Sequence, residues 1–298
     1  CAVGTLGILI PPSIMLVLMA DRMAMSVGDL FLGAVFPGLL LGGLYIVYIL
    51  GYGLLKPSGA PASSTEPADW QLIADLFKAI VPPAFLILAV LGSIFFGLAT
   101  PTEAAGVGAA GALLLAWLNR SLNFTVLKEV LQETTRTTAF IFGVLLGATA
   151  FALVLRGLGG DDLIKEALLG LPFERNGILI SILVATFILG FFLDWIEIAL
   201  VTLPIFYPIL AQLDFSSIGL TKSDAAIWFA VLIAINLQAS FLTPPFGFAL
   251  FFLKGVAPKE IKIETIYRGA LPFVALQLVP TAQCLSLVLG RKYCRSEA

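Results

Sequence analysis

Apolar residues run along this chain in stretches too long for the core of a soluble domain. The windows 1–20, 30–55, 79–102, 225–253 and 269–290 contain no Asp, Glu, Lys or Arg. Each reaches or passes the ~20 residues that a helix needs to cross a bilayer. Two shorter windows, 137–155 and 176–193, read as borderline spans or re-entrant segments. Other stretches carry a helical period with a single apolar face. In DWQLIADLFKAI (69–80), Leu72, Ile73, Leu76, Phe77 and Ile80 share one face, and NFTVLKEVLQETTRTT (123–138) and DDLIKEALLGL (161–171) repeat the pattern. Such helices lie at the membrane interface or lead into the span that follows. The Pro/Ser/Ala-rich stretch KPSGAPASSTEPADW (56–70) is predicted to be a surface linker.

Composition agrees with this pattern. The 298 residues are 59% hydrophobic and only 12% charged, with a mean hydropathy of +1.03, whereas soluble domains carry about 25% charged residues. A membrane β-barrel needs alternating apolar and polar positions, and AFLILAVLGSIFFGLA (84–99) shows no alternation. The predicted fold class is an all-α, polytopic membrane protein. A net charge of −2 argues for no charged partner, and the absence of histidine excludes His-ligated metals and His general bases. Cys1, Cys284 and Cys294 have no metal-ligand spacing. There is no phosphate-binding glycine loop and no nucleophile–base set, so neither an enzyme nor an organic cofactor is expected. The chain starts at Cys1 inside an apolar run and reads as the C-terminal part of a longer membrane protein. The tail RKYCRSEA (291–298) has three basic residues directly after the last span, which places the C-terminus in the cytoplasm.

Two double prolines interrupt apolar windows, at LIPPSI (9–14) and LTPPFG (242–247). Their surroundings match. Pro11-Pro12 aligns with Pro244-Pro245, and a span then leads to a charged joint, Asp21-Arg22 in one copy and Lys254 in the other. Gly33-Ala34 aligns with Gly269-Ala270, and Pro37 with Pro272. This order reads as an internal duplication, and paired interrupted segments at corresponding positions of two halves point to a transporter's binding site. Taken alone, each proline pair is a kink. Taken together, the pairs free backbone carbonyls at membrane depth, where an unsatisfied polar group is costly. A sodium ion accepts carbonyl and hydroxyl oxygens. Ser13, Ser240 and Thr243 can add hydroxyls beside Pro11 and Pro244, while Gly7 and Gly247 allow close backbone approach.

Ionisable residues inside apolar segments have two open readings. Asp194 and Glu197, in FFLDWIEIAL, lie on one helical face; they mark either a functional site or a hairpin tip at the water interface. Thr100, Thr102 and Glu103, in ATPTEAAG, read either as a substrate site or as a helix start with proline early and an acid in the first turn. An intramembrane aspartyl enzyme would need a second acid close to Asp194, and no motif around Glu103 supplies one.

GTLGILIPPSI (4–14), GLATPTEAAGVGA (97–109), FFLDWIEIALVTLPIFYPI (191–209) and NLQASFLTPPFGFALFFLKGVAP (236–258) together resemble the large membrane subunit of TRAP (tripartite ATP-independent periplasmic) transporters. The resemblance covers essentially the whole chain and corresponds to about the C-terminal two-thirds of such a subunit. It implies an elevator-type fold with inverted repeats, a re-entrant hairpin and broken helices, in a bacterial inner membrane. It implies sodium-coupled uptake of an organic acid delivered by a periplasmic substrate-binding protein, with a small membrane subunit as partner. Carried onto this sequence, Gly4–Ser13, including Ile10, would be the unwound helix of the first repeat, and Ser240–Gly247 its counterpart. The second repeat's hairpin would turn near Gly190–Glu197, which adds Gly190 to the sodium candidates, and the first repeat's hairpin would be missing ahead of Cys1. Residues 1–55 would end the first transport repeat, 56–172 would form the linker, arm helices and scaffold, and 173–298 the second repeat. The alternatives are an ion-coupled carrier that works without a binding protein, or an inactive fragment or scaffold.

Overall fold

The structure, a computed structural model, describes residues 1–56, 70–170, 175–213, 215, 219–244, 247–258 and 261–294. Most of the expected linker, Pro245 and the end of the basic tail lie outside the described residues. Among them there is no strand, and the regular structure is helical. In chain order the helices are α1 (Ala2–Leu9), α2 (Ile14–Arg22), α3 (Val27–Leu55), α4 (Trp70–Phe95), α5 (Pro101–Leu118), α6 (Phe124–Gly157) and α7 (Gly160–Leu169). They continue with α8 (Arg175–Leu189), the short α9 (Trp195–Glu197), a π-helical turn (Ile198–Thr202), α10 (Leu203–Leu210), α11 (Lys222–Ser240), α12 (Phe248–Val256) and α13 (Ile263–Cys294). Among the described residues, six segments are long and apolar enough to cross a bilayer: Ala2–Arg22, Val27–Leu55, Trp70–Phe95, Pro101–Leu118, Phe124–Gly157 and Lys222–Ser240. The chain is an all-α, multi-pass membrane protein.

Element boundaries correct the sequence reading in three places. Residues 70–80 of the first amphipathic stretch and the span after them are one helix, α4, and residues 124–138 of the second and the window 137–155 are likewise one helix, α6. No glycine or loop residue separates arm from span in either, so the backbone ladder simply continues. The window 79–102 does end as a helix at Phe95, and a new span starts at Pro101. There the chain turns through Gly97 at φ +67, a conformation glycine enters without a Cβ penalty. The third difference concerns proline itself. A further pair, Pro82-Pro83, lies inside α4 and does not interrupt it, so a double proline by itself is not a helix break.

Two compact units are distinguishable, Cys1–Tyr45 with Phe140–Ala298, and Ile46–Ala139. In the second unit α4 and α5 pack as neighbours. Contact is close because α5 presents glycine: a Cβ at Gly108 would lie 3.1 Å from Val90 Cγ2, and one at Gly111 would run into the Leu86 side chain. The Ala/Gly run of α5 thus lets helices approach in the way expected of membrane helices. Gly111→Val is expected to introduce about 1–3 kcal/mol of overpacking at this contact. A lower unfolding temperature than wild type in detergent checks it; an equal one rejects the contact.

In the first unit the core lies where α11 crosses its neighbours. Residues Phe229–Ala239 of α11 are all buried, and the helix packs against α1, α2, α8 and α13. A helix whose apolar residues run around most of its circumference belongs in a protein interior.

Candidate functional site

Two helices are broken in this core, and each break has a local cause. α1 stops at Leu9, Ile10 is extended at φ −76 and ψ 122, and α2 begins after Ser13. Pro11 and Pro12 have no N–H to donate to the carbonyls of Gly7 and Ile8, their partners one turn back. The Ser13 hydroxyl, 3% exposed, donates to the Ile8 carbonyl and accepts from Leu16 N–H at 3.4 Å, which caps α2. The Gly7 carbonyl thereby keeps no helical donor. Gly7 has open space around its Cα, and the break is backed by α3, where a Cβ at Gly38 would lie 2.8 Å from Ile10 Cγ1.

The second break lies between α11 and α12. Ser240 Oγ donates to Leu237 O at 2.7 Å, and Thr243 Oγ1 to Ala239 O at 2.8 Å. The last turn tightens through Leu242 N–H to Ala239 O and Thr243 N–H to Ser240 O before Pro244 ends it. Gly247 then caps α12 at φ +41, a region that disfavours L side chains. A Cβ there would meet Thr243 O at 3.2 Å and Phe241 O at 3.3 Å. Two backbone carbonyls therefore converge on a residue without a side chain, with the Thr243 hydroxyl on the same turn. Hard monovalent cations take such neutral oxygen sets.

A tight hairpin faces this break. α8 has 15 residues and ends at a turn, Gly190–Asp194, from which Trp195–Leu210 returns. Both arms fall short of the ~20 residues of a full span. The π-helical turn precedes Pro204, which cannot donate to the Leu200 carbonyl and widens the ladder there. The hairpin touches both broken helices, with α8 against α11 and the returning arm against α2. Gly190 is the closest approach: a Cβ there would collide with Ser240 Oγ and lie 2.8 Å from Ser240 Cβ. Of the residues singled out in the sequence, the structure thus brings together Gly190, Ser240, Thr243, Pro244 and Gly247 at one break. It puts Gly7, Ile10, Pro11 and Ser13 at the other.

The acidic candidates cap helices. Asp194 accepts from Trp195 N–H at 2.8 Å, and its own N–H donates to Glu197 Oε2 at 3.2 Å, a reciprocal cap at the hairpin's return. Thr100 and Glu103 form a second such cap, with Thr100 N–H donating to Glu103 Oε2 at 2.8 Å and Glu103 N–H to Thr100 Oγ1 at 3.3 Å. Thr102 is exposed on the first turn of α5. The Thr100–Glu103 cap belongs to the second compact unit.

Sequence reasoning missed the amides of α11. Asn236 Nδ2 donates to Leu183 O at 2.9 Å and to Thr186 Oγ1 at 3.1 Å, which fastens the hairpin arm to α11 one turn before Ser240. Gln238 Nε2 donates to Thr5 Oγ1 at 3.3 Å and links α11 to α1. The available signal was an Asn and a Gln inside a charge-free window, since such amides hydrogen-bond across helices. Asn236→Leu is expected to weaken the hairpin's seat by about 1–3 kcal/mol. Faster proteolysis within Gly190–Asp194 checks this, and an unchanged cleavage rate counts against the clamp.

Residues 1–288 match the family described as "Tripartite ATP-independent periplasmic transporter, DctM component". The C4-dicarboxylate TRAP transporter large permease protein DctM of Pseudomonas aeruginosa is 32% identical over 94% of this chain and 62% of its own length. The sialic acid TRAP transporter large permease protein SiaM of Vibrio cholerae is 29% identical over 95% of this chain and 64% of its own. The ectoine TRAP transporter large permease protein TeaC of Halomonas elongata is 28% identical over 93% and 62%. The chain therefore spans somewhat under two thirds of the length of these relatives. By the extent of the family match, the chain belongs to the DctM component of the tripartite ATP-independent periplasmic transporters.

Proposed function

We propose that this chain carries the transport core of a large permease subunit that imports an organic acid, driven by sodium. The observation that carries this reading is the second break, where the carbonyls of Phe241 and Thr243 converge on Gly247 beside a hairpin seated on Ser240. Neutral oxygens on an unwound segment fit a sodium ion, and at the first break Pro11 withdraws the helical donor from the Gly7 carbonyl. The same duplicated arrangement supports an elevator motion in which the hairpin and both broken helices move as one body. By family, a periplasmic binding protein would deliver the solute and a small membrane subunit would complete the complex in the inner membrane, with the C-terminus on the cytoplasmic side. The relatives named above are permeases for C4-dicarboxylates, sialic acid and ectoine, so an organic acid is the expected class of solute.

The permease, as encoded and reconstituted with its two partners, is expected to take up solute only with an inward sodium gradient. Uptake unchanged when choline replaces sodium overturns the coupling. Uptake without the binding protein turns the reading toward an independent carrier. Thr243→Ala is expected to raise the sodium concentration for half-maximal uptake several-fold with little change in unfolding temperature. An unaltered sodium response reduces Thr243 to a partner of the kink.

A further inference from the structure

A group of polar side chains lies buried beside the crossing of the two broken helices and takes no part in the breaks themselves. Gln238 and Gln277 are fully buried, Tyr45 is 1% exposed and Thr5 7%. Gln238 Nε2 reaches Thr5 Oγ1, but Gln238 Oε1, the Tyr45 hydroxyl and both polar atoms of the Gln277 amide have no hydrogen-bond partner among the described residues. Tyr45 and Gln277 are side by side without closing a bond of good geometry.

Helix register places these groups at one level. Trp228 Nε1 on α11 donates to Cys284 O on α13 at 2.8 Å, and Leu242 further along α11 shares a cluster with Ala270. The two helices are therefore antiparallel, and Gln238 falls level with Phe273–Gln277. Tyr45 of α3 packs edge-on against Phe273, with ring centroids 5.1 Å apart, and it shares its cluster with Leu6, the neighbour of Thr5. The duplication adds a further relation. With Pro11 aligned to Pro244, Thr5 and Gln238 occupy the same position before their breaks. Equivalent residues that touch each other mark the place where two repeats meet about a two-fold relation.

Four orphaned polar atoms in an apolar membrane interior are unfavourable unless something satisfies them. Their chemistry selects what that is. A cation would take the oxygens of Tyr45, Gln238 and Gln277 but leave the Gln277 N–H₂ group without an acceptor. Water both donates and accepts, and it needs two to four polar partners. Exchange of the ends of either amide still leaves both donors and acceptors in the group. We propose that Thr5, Tyr45, Gln238 and Gln277 form a buried water-binding site that joins the broken helices α1 and α11 to α3 and α13 at the junction of the two repeats. Contact between the repeats is then mediated by a small exchangeable ligand, and it does not depend on sodium occupying either break.

The test uses the permease complex in lipid nanodiscs. A density map that resolves water should place at least one ordered water within hydrogen-bond distance of two or more of the four orphaned atoms. Thallium ions, an electron-dense probe for monovalent cation sites, should give no signal there. A thallium peak at this position overturns the water assignment in favour of a cation. Direct pairing of Tyr45 with Gln277, with no density between them, overturns the site altogether. The double variant Tyr45→Phe with Gln277→Leu separates the cases in solution. A bridging water makes it less stable than wild type, because the Gln238 carbonyl loses its partner, and the apparent melting temperature falls by several degrees. Orphans that nothing satisfies make the same variant equally or more stable, which refutes the proposal.

Discussion

Gly190→Ala is expected to cut sodium-driven uptake about 5–150-fold, while the protein still inserts and folds. The methyl group would point into Ser240, whose Cβ lies 2.8 Å from the position it would occupy. Ser240 is fully buried at the end of α11 and cannot swing into solvent. The hairpin tip must therefore lift from the break, and overpacking of this kind amounts to about 1–3 kcal/mol, which gives that range of fold-change in the seated state. The rest of the fold should be little affected, since Asn236 holds the α8 arm one turn earlier. A compensating change sharpens the test. Ser240→Gly opens room for the methyl group, so the double variant Gly190→Ala with Ser240→Gly should recover a substantial share of the uptake lost in Gly190→Ala alone. Equal loss in the single and double variants would show that the tip and the break do not act through this contact.

Gly247→Ala should act on the ion rather than on the hairpin. A residue with a Cβ at φ +41 is strained by about 1–2 kcal/mol, and the new methyl group would sit among the carbonyls of Phe241 and Thr243, at 3.3 and 3.2 Å. Strain and crowding both displace the oxygens proposed to hold sodium. The expected result is a rise of about tenfold or more in the sodium concentration for half-maximal uptake, with smaller loss of the maximal rate at saturating sodium. A variant that loses maximal rate at unchanged sodium affinity would make Gly247 a hinge and not part of a cation site.

Particular residues show how far the sequence could be read. The breaks at Pro11-Pro12 and Pro244 were legible because proline removes a backbone donor and the two pairs lie in matching surroundings. The turn at Gly190–Asp194 was legible for a similar reason, since Asp194 and Glu197 cap the returning helix by purely local bonds. Their carboxylates make that cap at the hairpin's return. Thr100 and Glu103 are read in the same way at the start of α5. Pro82-Pro83 shows that the dipeptide alone does not decide: it stays inside α4, and where Ser13 follows Pro12 and caps α2, Ala84 follows Pro83 and can form no cap.

Asn236, Gln238, Thr5 and Gln277 were not legible as a group, because each finds its neighbours on another helix. Gln238 and Thr5 are far apart in the chain and meet only when α11 crosses α1. Gly190 and Ser240 were both named from the sequence, but nothing in it indicated that they touch.

Sequence alone determined the class, the family, the apolar windows and the proline pairs at which the two breaks fall. Hydropathy, proline geometry and helix capping are properties of short stretches, and the bilayer demands that each span satisfy its own backbone. Tertiary structure alone decided that one hairpin touches both broken helices, that Gly190 rests on Ser240, and that Gln238 of α11 meets Thr5 of α1. Those outcomes depend on which face each helix turns to its neighbour and at what register. Close packing of residues remote in sequence sets both.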